Sequence, residues 1–304
     1  MNVPFTPLFV AIVTTFIGIL LLRPLAANIG LVDIPNNRKP HTGSVPLIGG
    51  IAMYLGIIVS ILITPLDLNN FSYFILASLI VVFLGALDDH QNISVSIRIL
   101  FQCLAAVIVA EVAGISILSF GDLLNRGDIY IDDWPVFISV LAIIAGMNAV
   151  NMLDGINGLA GGSSLITFIA VAYLAIDSTI GVSLMIALLF CMVLPVFLID
   201  NLCIWRPLQN RIFMGDAGSM LLGLSIAWVL IDLSQGEVSV FSPVTALWLF
   251  GLPIIELVST IFRRVLNGKS PFEPDLNHMH HIISHLGVGK KKSLIIMLIF
   301  SSTS

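Results

Sequence analysis

Nine stretches of the chain run almost unbroken in apolar residues: 4–22, 46–64, 71–87, 99–119, 134–152, 159–176, 180–199, 217–233 and 241–262. A helix needs about 20 such residues to cross the hydrocarbon of a bilayer. The pattern therefore predicts an all-α polytopic membrane protein with about nine to ten transmembrane helices. A tenth run, "SLIIMLIF" at 293–300, is too short to cross. It reads either as an interfacial segment or as an incomplete final helix. The first run has no basic stretch ahead of it and no small-residue cleavage site, so it reads as a retained span. With no internal repeat or low-complexity segment, residues 1–304 form one integral membrane domain. Its longest polar connection is 263–292.

Composition agrees with the pattern. The chain is 58% hydrophobic and 10% charged, with a mean hydropathy of +1.05. Soluble domains carry about a quarter charged residues. No nucleic-acid partner is expected; the partner that composition demands is the lipid bilayer. With the N-terminus outside, the inner loops hold Arg23, Arg38, Lys39, Arg98, Arg206, Arg211, Arg263, Arg264, Lys269 and Lys290 to Lys292, and only Arg126 of the 13 basic residues lies outside. Basic residues mark the cytoplasmic side, where the same count puts all six histidines. Cys103, Cys191 and Cys203 show no paired spacing and read as packing residues.

Four polar clusters gather on that inner face. In "LGALDDHQNISVSIR" (84–98), Asp88 and Asp89 close an apolar span ahead of Arg98. Solvated acids at a helix end would do this, but paired carboxylates at a helix C-terminus and a membrane boundary are costly unless a cation or proton is shared. In "NAVNMLDGINGLAGG" (148–162), Asn148, Asn151, Asp154 and Asn157 recur every three residues, roughly one helix face. Close helix packing with internally satisfied amides is the alternative. In "RIFMGDAGS" (211–219), Asp216 stands at a span's start, either as an N-cap or as a site carboxylate. The fourth cluster, "RRVLNGKSPFEPDLNHMHH" (263–281), holds His278, His280 and His281 among Arg263, Arg264 and Lys269. Zinc is one reading. The basic neighbourhood repels a cation and draws phosphate, so an anion is favoured. Glu111 falls inside its run and Glu256 near the inner end of another, where Arg263 or Arg264 is in reach. Both read first as structural. Separated carboxylates for a hard divalent ion, beside fixed cations for phosphates, suggest phosphoryl transfer at the membrane surface. An ion-coupled transporter is the competing class, but it would carry its ionisable residues at mid-membrane depth.

These motifs, together with "GLVDIPNNRKPHTGSVPLIGG" (30–50), occur in an order that resembles the polyprenyl-phosphate N-acetylhexosamine-1-phosphate transferase family. The histidine element is more similar to the GlcNAc-1-phosphate branch than to the muramoyl-pentapeptide branch. The resemblance implies attack of undecaprenyl phosphate on the β-phosphorus of UDP-GlcNAc, giving undecaprenyl-diphospho-GlcNAc and UMP. That is a first membrane step of cell-envelope polysaccharide synthesis, in the bacterial inner (cytoplasmic) membrane with the site facing the cytoplasm. Another UDP-N-acetylhexosamine is the alternative donor, and an inactive truncated member the alternative outcome. The resemblance further implies Mg²⁺, with Mn²⁺ as a substitute, held by Asn151 and Asp216. Asp88 and Asp89 match the acidic pair, Asp88 as base or nucleophile. Asp154, His278, His280 and His281 match catalytic motif positions; Arg98, Asn148, Asn157 and Arg264 fall on the substrate side. A homodimer is left open. Asn157 stands where many bacterial members have Asp, and members continue past the histidine loop with a further complete helix.

Overall fold

The computed structural model describes the chain except for residues 1–4, 36–42, 65–67, 124, 178–180, 205–210, 237–238, 271–277, 280–282, 284–287 and 304. His280 and His281 lie outside the described residues, as do Arg38, Lys39 and Arg206. Within them the chain is predominantly helical: α1 (Phe5–Ile29), α2 (Gly49–Leu62), α3 (Ser72–Gln91), α4 (Val95–Val107), α5 (Pro135–Leu153), α6 (Leu159–Leu174), α7 (Val182–Asn201), α8 (Gly215–Ser234), α9 (Pro243–Leu249), α10 (Gly251–Leu266) and α11 (Lys290–Thr303). Every predicted apolar run falls on a helix or a helix pair. Six helical stretches are long and apolar enough to cross a membrane: α1, α3, α4 with its extension to Val112, α5, α7 and α8. The pair α9–α10 would make a seventh, while α2 and α6 are apolar but shorter. This is the architecture of a polytopic membrane protein.

Two runs depart from straight spans. The run 241–262 is broken, with α9 and α10 meeting at 77°. Pro253 explains the break: it has no N–H, and in a continuous helix its ring would meet the Leu249 carbonyl. The run 99–119 is helical only to Val112, where α4 ends in a π turn, Ile108–Val112. Gly114 takes φ +72°, and Ile115 N donates to Val109 O at 3.1 Å, a left-handed C-terminal stop. Glu111 is therefore exposed at a helix end, not inside a span as the run suggested.

The middle of the bundle is α8, buried without interruption from Ala217 to Ile231. It lies against α3 and α5 because small residues let the backbones approach. A Cβ on Gly85 of α3 would overlap the Ala217 backbone, and one on Gly223 would overlap the Met147 backbone of α5. The short hairpin β1 (Val32–Asp33) and β2 (Val45–Pro46) sits ahead of α2. Beyond it, Phe213 N donates to Pro46 O, and Gly49 N and Gly50 N donate to Phe213 O and Met214 O, all at 2.9 Å. These bonds pin the starts of α2 and α8 together. At the same end of the bundle Arg23 Nη2 meets Asp200 Oδ2 at 2.9 Å, joining α1 to α7. The ends assigned to the inner side by charge thus converge. At the opposite end Gln235 Oε1 accepts from Leu118 N (2.9 Å) and Ser119 N (3.0 Å).

Candidate active site

The N-terminus of α8 organises the inner end. Its first-turn amides have no partner within the helix, and α3 supplies one: Asp89 Oδ1 accepts from Asp216 N at 2.9 Å and Asp89 Oδ2 from Ala217 N at 3.4 Å. A carboxylate suits that end of a helix dipole. The acidic pair therefore divides its work. Both oxygens of Asp89 accept from the α8 backbone. Asp216 is not its own helix's cap, and its side chain is left for the site. Gly215, at φ +72°, makes the approach feasible; a Cβ there would overlap the Asp89 carboxylate. Gly215→Ala is expected to lower stability by about 1–2 kcal/mol from the left-handed backbone alone and to displace Asp89. A thermal melt of the detergent-solubilised variant that matches wild type would refute this.

Asp88, one residue earlier, is buried and turns elsewhere. Its Oδ1 accepts from Ile93 N at 3.0 Å. Its Oδ2 lies 3.0 Å from Arg98 Nε, a charge contact outside hydrogen-bond geometry. Asn92, at φ 49°, lets the chain reverse after α3, and Ser94 caps α4 by accepting from Ile97 N at 3.4 Å. That turn delivers Arg98 to Asp88. The Asp88 carboxylate also neighbours that of Asp216.

From α5, Asn151 Nδ2 donates to Asp216 Oδ1 (2.7 Å) and Ser219 Oγ (2.9 Å). The predicted polar stripe does not continue as helix beyond this point. Leu153 ends α5, Asp154 is its C-cap, and Asn157 lies in the turn before α6, which Gly158 opens at φ +81°. Glycines 155 and 158 make the turn cheaper than another helical turn. Asp154 and Asn157 therefore sit in the turn between α5 and α6. Asn148 lies one turn deeper, where Nδ2 donates to Gln102 Oε1 at 2.9 Å and to Ile144 O at 2.8 Å. Its amide hydrogens serve helix packing, the alternative weighed for it above.

His278 packs against α10. Its Nδ1 lies 2.8 Å from Glu256 Oε1, a partner for Glu256 that the sequence reading, which looks to Arg263 or Arg264, does not name. Arg264 is buried near the end of α10. The sequence reading marks Glu256 as structural; its position inside an apolar run is the signal for a role, but nothing local names His278 as its partner.

In this cluster the carboxylates of Asp88, Asp89 and Asp216 lie together, with the Arg98 guanidinium against Asp88. Among the described residues no group of three His, Cys, Asp and Glu could hold a metal ion; His280 and His281 of the zinc reading lie outside them. Oxygen donors remain: Asp88 Oδ2, the second oxygen of Asp216, and Asn151 Oδ1. An all-oxygen set with few protein ligands suits Mg²⁺, which completes its shell with water and substrate phosphates.

The model of glycosyl transferase family 4 matches residues 71–234, which contain α3 to α8 and Asp88, Asp89 and Asp216. The chain is 37% identical over 297 residues to the undecaprenyl-phosphate alpha-N-acetylglucosaminyl 1-phosphate transferase of Haemophilus influenzae, covering 97% of this chain and 83% of that protein. It is 35% identical over 276 residues to the protein of the same name from Yersinia pestis, covering 90% and 75%. For that of Escherichia coli K12 the identity is 34% with the same coverage. Matched by the family model over more than half its length, and by these relatives over nearly all of it, the chain belongs to glycosyl transferase family 4.

Proposed function

We propose that the chain transfers N-acetylglucosamine 1-phosphate from UDP-GlcNAc to undecaprenyl phosphate, releasing UMP, at the cytoplasmic face of the bacterial inner membrane. The observation that carries this reading is the convergence of Asp88, Asp216, Asn151 and Arg98 at one end of an apolar bundle, in a chain whose relatives bear that activity in their names. A phosphate oxygen of the lipid attacks the β-phosphorus. The bond from that phosphorus to the bridging oxygen breaks, and UMP leaves with the electron pair. Asp88 acts either as base on the attacking lipid phosphate or as a transient nucleophile that itself takes the β-phosphoryl group, expelling UMP, before the lipid phosphate displaces it. Arg98, already beside it, offers its guanidinium to phosphate oxygens. Asp216 and Asn151 would hold Mg²⁺, with Mn²⁺ as its substitute. When bound it supplies charge neutralisation at the diphosphate. Asp154, Asn157, Arg264 and the histidine motif of His278, His280 and His281 would serve the nucleotide sugar. In the membrane the helices make nine spans, α2, α6 and the bent α9–α10 pair each counting as one, and the protein assembles as a homodimer.

UDP-GlcNAc does not cross a bilayer, so one assay tests both reaction and sidedness. Inverted vesicles from cells lacking an endogenous transferase, loaded with undecaprenyl phosphate, should release UMP from added UDP-GlcNAc. Sealed right-side-out vesicles should not until permeabilised. EDTA should stop release and Mg²⁺ restore it. No UMP from inverted vesicles, or equal release from both preparations, would refute the reading.

A further inference from the structure

Helix α10 is apolar outside and polar inside. Val258, Phe262, Val265 and Leu266 are exposed, whereas Glu256, Thr260 and Arg264 are buried, at 0%, 0% and 5% exposure. The buried three recur every four residues, one row of the helix surface. A carboxylate without access to water is costly unless donors surround it. Glu256 has them. Oε1 accepts from Thr260 Oγ1 at 3.3 Å, and the carboxylate takes Met279 N at 3.3 Å on Oε1 and 3.1 Å on Oε2. Among the described residues its shortest contact is with His278 Nδ1, at 2.8 Å. The carboxylate thus holds the ring and the next backbone amide of the histidine motif together. Helix packing alone would not require both.

We propose that Glu256 is the positioning residue of the histidine motif: it fixes the His278 proton on Nδ1, leaves Nε2 as the working ring nitrogen, and anchors the motif to α10. A carboxylate that accepts from one ring nitrogen sets the tautomer and orientation of the other. The proposal rests on the reading above in which His278 serves the diphosphate.

The test uses full-length protein labelled with ¹⁵N-histidine in detergent, with the His278 resonances assigned by their loss in His278→Gln. Wild type should carry a proton on Nδ1. In Glu256→Gln the amide can donate to Nδ1, so the ring should move to the Nε2–H tautomer. UMP release should then fall by about 10–100-fold, the usual cost of removing such an orienting partner. Glu256→Gln combined with His278→Ala should be no slower than His278→Ala alone, because the two act as a unit. A wild-type ring with a bare Nδ1 would overturn the proposal without any variant. An unmoved tautomer in a folded Glu256→Gln would overturn it too. A moved tautomer with unchanged kcat would overturn the catalytic role of the pair. The transferase reading itself stands or falls separately, on UMP release by wild type.

Discussion

Asp216→Ala should reduce UMP release by a factor on the order of 10³, comparable to or beyond the loss of one preorganised charge-stabilising group elsewhere. The protein should still fold. What holds the start of α8 in place is the backbone N–H of residue 216 against Asp89, at 2.9 Å, and alanine keeps that N–H. The substitution removes only the side chain that Asn151 holds at 2.7 Å and that neighbours Asp88. With it goes one of the two carboxylates able to share a divalent ion, while Arg98 keeps its positive charge. Asn151 retains Ser219 Oγ, at 2.9 Å, as an acceptor, so no buried amide is orphaned. The variant should thus melt within a few degrees of wild type and require far more Mg²⁺ for any residual turnover. Wild-type-like turnover at the same Mg²⁺ concentration would remove Asp216 from the site.

How much of this was legible in the chain depends on what each residue reports. The apolar runs located the helices because burial in lipid imposes composition on every span. They could not show the 77° bend between α9 and α10, since Pro253 sits in a run whose hydropathy is unbroken. Nor could they show the stop at Gly114, where the next residues remain apolar. The site residues were legible as polar exceptions at one side of the membrane, and Asp88, Asp89, Asn151 and Asp216 do come together. Their division of labour was not legible. Adjacent aspartates on a helix point about 100° apart, so one reaches the α8 amides and the other Arg98, but which does which depends on how α3 meets α8. Period-three spacing of Asn148 to Asn157 suggested one helical face; glycine's freedom in the turn overrode it. The Glu256–His278 pair spans 22 positions, and no local pattern encodes such a contact.

Asp88→Asn separates the chemistry at the lipid phosphate from binding of the nucleotide. Asparagine keeps an oxygen to accept from Ile93 N, the 3.0 Å bond that shapes the turn after α3, so the backbone should hold. It removes the negative charge 3.0 Å from Arg98 Nε and replaces a basic oxygen with an amide. Whether Asp88 takes a proton from the lipid phosphate or attacks phosphorus itself, the step needs an ionised carboxylate, and loss of a general base costs about 10²–10⁴-fold. Turnover should fall by that much, while UDP-GlcNAc affinity, measured by equilibrium binding with Mg²⁺ present, should stay within a few-fold, because Arg98 is freed rather than lost. The two roles then divide on one further observation. A nucleophilic Asp88 should release one UMP per wild-type protein from UDP-GlcNAc with no lipid added, and leave phospho-GlcNAc on the chain; a base should release none. If the Asn variant loses nucleotide binding together with turnover, Asp88 belongs to the diphosphate pocket, and the residue that activates the lipid phosphate lies elsewhere.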